Sequence, residues 1–124
     1  MRPTWDEYFL NIAKEVAKRS TCPRASVGAV IVKDNRILST GYNGAPPGEP
    51  HCIDVGCQII DNHCIRVVHA ETNAIAQAAK FGISISGATM YIWSNSEIPS
   101  CHNCTQISKS VGIAKVVGAD VFRQ

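Results

Sequence analysis

The chain has 124 residues, 45% of them hydrophobic, and a formal net charge of +2. That length describes a single domain, 1–124, with one modest core, and no stretch approaches the ~20 apolar residues of a membrane span. So mild a charge, with no Lys/Arg run longer than two residues, gives no footing for a nucleic-acid polymer, although a small anionic partner is permitted.

Asp6 and Glu7 stand where a signal peptide would be apolar, so a cytoplasmic chain is expected. Thr4-Trp5-Asp6-Glu7 fits a capping box, and Phe9, Ile12, Ala13 and Val16 follow at helical spacing, which predicts a helix from about Trp5 to Arg19. Val27 to Val32 is a short β-branched run, the pattern of a strand covered on both faces. Asp34-Asn35 supplies turn chemistry, and Arg36 to Tyr42 reads as the return strand. From Asn43 to about Cys64 no period is visible, which predicts a long loop of the kind that tends to be functional. His69 to Phe81 reads as a helix ending at Gly82 and apolar nearly all round, hence buried on several sides. Ala88 to Trp93 is a strand with Trp93 in the core, Cys101 to Ser110 a short helix, and Ile113 to Val117 a last strand. A parallel late β-α-β unit and an antiparallel first pair make a mixed sheet with helices on both faces.

Two segments carry chemistry. His69-Ala70-Glu71 opens one helix, and Cys101-His102-Asn103-Cys104 opens the next. One helical turn puts the sulfurs of Cys101 and Cys104 on the same side, and a helix N-terminus favours thiolates. One imidazole and two thiolates make three ligands for tetrahedral zinc, with the fourth position open to water as a catalytic site requires. A His, a non-ligand Glu two residues on and a later Cys-x-x-Cys is the pattern of the zinc deaminases, with Glu71 then the proton carrier. A closed zinc staple using His102 would have no use for Glu71, and a redox pair would leave His69 and Glu71 unexplained.

With these motifs in place, the chain resembles the deoxycytidylate (dCMP) deaminase branch of the cytidine deaminase superfamily from about Trp5 to Val117. The resemblance includes Trp5-Asp6-Glu7-Tyr8-Phe9, Val27-Gly28-Ala29-Val30-Ile31-Val32 and Thr40-Gly41-Tyr42-Asn43-Gly44-Ala45-Pro46. It implies a three-layer α/β/α fold with a mixed central sheet, hydrolysis of dCMP to dUMP and ammonia, and a homo-oligomer. It also implies catalytic zinc on His69, Cys101 and Cys104, Glu71 as proton shuttle, and Ala70, Val27 and Asn43 around the substrate, Asn43 at the sugar hydroxyl. Asn43 reads equally as a turn residue, since Asn-Gly is a common turn pair. One departure is Ser100, which separates Pro99 from Cys101 where the family has proline directly before the cysteine.

Cys22, Cys52, Cys57 and Cys64 remain. In a cytoplasmic chain, cysteines read as metal ligands or free thiols rather than disulfides. Some relatives carry a structural zinc between the first helix and this loop, and Cys22 and Cys52 match its positions. All four together can supply a second, closed site, or His63 can replace one of them. Arg24 and Arg66 are candidate phosphate contacts, with solvated surface charge as the bland alternative. The other readings are a related zinc deaminase acting on another cytosine nucleoside, nucleotide, base or modified dCMP, a tRNA adenosine deaminase, and a non-catalytic zinc module.

Overall fold

The computed structural model describes residues 1–22, 25–60, 63–64, 68–95 and 102–118. Helix α1 (Trp5–Ala17) begins with the expected capping box: Thr4 Oγ1 accepts from Glu7 N at 3.2 Å, and Glu7 Oε1 accepts from Thr4 N at 2.9 Å. Hydrogen bonding from the Thr4 backbone N–H, and secondarily from the Thr4 side chain, holds the Glu7 carboxyl below its ordinary range. Strands β1 (Val27–Lys33) and β2 (Arg36–Tyr42) form an antiparallel hairpin. Its two-residue turn places Asp34 and Asn35 at φ 52° and 59°, the left-handed pair that suits tight hairpins and that Asp and Asn tolerate.

The stretch expected to be one long loop contains three small elements: α2 (Cys52–Val55) and the paired β3 (Ile59–Ile60) and β4 (His63–Cys64). All are too short to imprint a period on the sequence. Helix α3 (Ala70–Lys80) follows, then β5 (Thr89–Ser94), α4 (His102–Ser110) and β6 (Lys115–Gly118).

The main sheet runs in the order β2-β1-β5-β6, with β5 and β6 parallel and the other pairs antiparallel. The period-2 alternation of β1 divides the core. Ala29 and Ile31 join Met90, Ala70, Ala74 and Ala78 under α3. Val30 and Val32 join Phe9, Ala13, Tyr91 and Val117 under α1, where Trp93 packs at the margin with Lys14 Nζ 5.8 Å from its ring centroid. Helix α4 lies beside α3. Helix α3 buries a single stripe, Ala70, Glu71, Ala74 and Ala78, rather than several sides; Ala76 and Ala79, on the face turned from the sheet, are exposed.

Two glycines set how closely the layers approach. At Gly28 a Cβ would run into the Ala13 carbonyl oxygen and lie 2.7 Å from Ala17 N, so α1 rests on bare β1 backbone. At Gly41 it would lie 2.5 Å from Ala70 O and 2.9 Å from Ala74 Cα, so α3 rests on β2 in the same way. No helix among the described residues is long and apolar enough to cross a membrane.

Candidate functional site

One end of the sheet gathers the start of β1, the end of β2 and the end of β5: Val27 pairs with Ser94, and Gly28 with Tyr42. The N-terminus of α3 is brought to the same end. His69 is its N-cap residue, and Val68 just before it exchanges backbone bonds with Gly44 just beyond β2, at 2.8 and 3.2 Å. Asn73, in the first turn, donates from Nδ2 to Tyr42 O at 2.7 Å. These bonds fix the helix start against the strand end.

Across this junction lies the first turn of α4. His69 Nδ1 is 3.2 Å from Cys104 Sγ, and the Cys104 residue is 2% exposed. Zinc bonds of about 2.05 Å to nitrogen and about 2.3 Å to sulfur in a tetrahedron separate such a donor pair by about 3.6 Å, so the two atoms are already at shared-ligand distance. Glu71 is 6% exposed, two residues along α3 in its first turn. A carboxylate is favoured at that helix end, where backbone N–H groups are unsatisfied. Cys101, Arg24 and Arg66 lie outside the described residues.

Asn43 is 6% exposed and its carboxamide is engaged within the chain. Oδ1 accepts from Val27 N at 2.9 Å and from Ser20 Oγ, while Nδ2 donates to Ala25 O at 2.7 Å. It therefore serves as a turn and junction residue, with one Nδ2 hydrogen left over among the described residues. Ala70 is buried at 1% under β2, and Val27 is half-buried beside Asn43.

A second cluster gathers three cysteines. The sulfurs of Cys22, after α1, of Cys52, opening α2, and of Cys57, after Gly56, all lie within 4.8 Å of one another. Cys22 and Cys57 are 3.9 Å apart at Sγ, far beyond a disulfide bond of about 2.05 Å. Tetrahedral zinc with bonds of about 2.3 Å would set its sulfurs about 3.8 Å apart, which this pair matches. Cys64 takes part in β4 through its backbone; its side chain, like that of His63, lies outside the described residues. Hydrogen bonds link the cluster to the first site. Thr21 accepts at its carbonyl from Ile53 N and donates its own N–H to Asn43 O, at 3.0 and 3.2 Å. Its hydroxyl accepts from Ala45 N at 3.3 Å.

Sequence reasoning had passed over Ser20, Thr21, Thr72 and Asn73. The last carried a signal: an asparagine in the first turn of an otherwise alanine-rich helix invites a partner outside the helix.

The fold and the meeting of two helix N-termini at one sheet end define a three-layer α/β/α domain of the cytidine deaminase-like class. Comparison with known proteins agrees. Residues 3–119 match the family described as the cytidine and deoxycytidylate deaminase zinc-binding region. The chain is 44% identical over 125 residues to ComE operon protein 2 of Bacillus subtilis, covering 98% of this chain and 62% of that protein. It is 38% identical to the deoxycytidylate deaminase of Mycobacterium phage D29, covering 94% of each. The solved dCMP deaminase of cyanophage S-TIM5, in complex with dCMP and dUMP, superposes with a TM-score of 0.78 at 31% identity, covering 95% of this chain and 82% of that one. The chain belongs to the cytidine and deoxycytidylate deaminase family. It spans less than two-thirds of the B. subtilis protein's length.

Proposed function

We propose that this chain hydrolyses the 4-amino group of dCMP, releasing dUMP and ammonia. The observation that carries the reading is the approach of His69 Nδ1 to Cys104 Sγ at two helix starts, with buried Glu71 in the first turn of one of them. The relatives named as deoxycytidylate deaminases support the choice of substrate.

In this reading His69 and Cys104, with Cys101, hold zinc. When bound, the ion supplies the Lewis acidity that makes water nucleophilic at neutral pH. Glu71 takes the attacking water's proton and passes it to ring N3. The same carboxyl then carries the remaining proton of the added hydroxyl to the amine as the C4–N bond breaks, so dCMP and water leave as dUMP and ammonia. Ala70 and Val27 border the pyrimidine, and the remaining Nδ2 hydrogen of Asn43 donates to a sugar hydroxyl. Arg24 and Arg66 are the residues assigned to the phosphate. A second zinc is held by Cys22, Cys52 and Cys57, with Cys64 or His63 as fourth ligand; it orders a loop that buries little apolar surface of its own. The protein acts in the cytoplasm as a homo-oligomer.

The test is an ultraviolet assay of dCMP, CMP, deoxycytidine, cytosine and 5-methyl-dCMP. Loss of absorbance with dCMP, at least tenfold faster than with deoxycytidine, is expected. Equal rates on those two would overturn the nucleotide reading, and no turnover of any would overturn the deaminase reading.

A further inference from the structure

Thr72 follows Glu71 in the first turn of α3. Its hydroxyl oxygen lies 3.5 Å from Cys104 Sγ, on the neighbouring helix, and this sulfur is its sole hydrogen-bond partner among the described residues. A helical threonine ordinarily bonds back to a carbonyl of its own preceding turn or faces water; this one reaches across to α4. At 2% exposure Cys104 is closed to solvent, so donors to its sulfur must come from the protein. The two helices are joined here by His69 Nδ1 at 3.2 Å from the sulfur as well as by Thr72.

We infer that Thr72 is a positioning residue for the catalytic centre: its hydroxyl donates to the Cys104 sulfur, fixing the direction of its lone pairs and drawing charge from it. No proton is transferred and no bond is made or broken. A sulfur that accepts such a bond gives less charge to a metal ion, which keeps the ion a stronger Lewis acid. Groups that support a metal ligand in this manner typically change activity or affinity by 10–100-fold when removed. The inference rests on the proposal that Cys104 binds the catalytic ion.

The experiment compares the full chain with Thr72→Val, which keeps the shape and removes the donor, and Thr72→Ser, which keeps the donor. Cobalt(II) replaces zinc, and the near-ultraviolet sulfur-to-metal band is read after subtracting the spectrum of Cys104→Ala, which removes the contribution of the Cys22, Cys52 and Cys57 cluster. Expected for Thr72→Val is a shift of that band to longer wavelength and a fall in kcat of about 10–100-fold with KM little changed. Thr72→Ser should restore both. An unshifted band in Thr72→Val, or a Thr72→Ser protein as impaired as Thr72→Val, would overturn the inference. A parent protein with no band lost in Cys104→Ala would instead overturn the metal reading on which it stands.

Discussion

Replacing Glu71 by Gln keeps the size of the side chain and takes away its ability to carry a proton. The residue is 6% exposed, so bulk water cannot deputise for it, and it is assigned more than one proton movement in a single turnover. Positioned acid–base groups contribute about 10²–10⁴-fold. The upper part of that range is expected here, which is about 4–5 kcal/mol in the barrier. The same change keeps the side chain's volume, so the variant is expected to fold with a circular-dichroism spectrum like the parent's. Zinc content should not change, since Glu71 is not a ligand in the proposed site. The assay pairs the absorbance decrease of dCMP with metal analysis of the gel-filtered protein. A Glu71→Gln enzyme with full zinc and kcat within tenfold of the parent would refute the reasoning. So would a variant that had lost its zinc, because the carboxylate would then belong to the metal's own coordination.

Cys57→Ser should lower the zinc content by one ion per chain and reduce the melting temperature while leaving the ion at His69 and Cys104 in place; metal analysis with thermal melting reads both. Gly28→Ala forces a methyl into the Ala13 carbonyl and should cost about 3 kcal/mol by urea unfolding, since neither backbone can give way cheaply. Tyr91 donates to Asp6 Oδ1 at 2.7 Å, and burial, with Asp6 adding to it, pushes its pKa from 10.0 up to about 12. A phenol whose folded pKa is raised stabilises the fold fully below pH 10 and loses that contribution as pH rises toward about 12, by an amount on the order of 2 kcal/mol. Tyr91→Phe should show a flatter fall in stability across that window, measured by denaturant titration at each pH.

What the residues announced in advance was what local chemistry decides. Thr4 and Glu7 are three apart and cap the helix on their own. Asp34-Asn35 turns because both tolerate positive φ. His69 and Cys104 approach each other where the two motif segments open their helices. The antiparallel pairing of β1 with β5 was not legible, because it joins strands separated by the loop and α3, and no local pattern encodes which sheet edge a returning strand takes. The small elements between Cys52 and Cys64 were hidden because a four-residue helix and two-residue strands leave no period. Asn43 could be read as a turn residue or a sugar contact; the structure shows it bound to Ser20, Ala25 and Val27, partners that no spacing rule connects.

The bare backbone at Gly41 governs more than packing. Because no side chain at position 41 separates β2 from Ala70 and Ala74, the strand acts as a rigid stop for the helix that bears His69, Glu71 and Thr72. Alanine at position 41 would lift that helix, and His69, Glu71 and Thr72 would move together by a sizeable fraction of a bond length. Reactivity would then decline with every ligand and proton carrier still present, so an inventory of side chains would miss the fault: the tolerance of the centre is set by an atom that is absent from the strand beneath it.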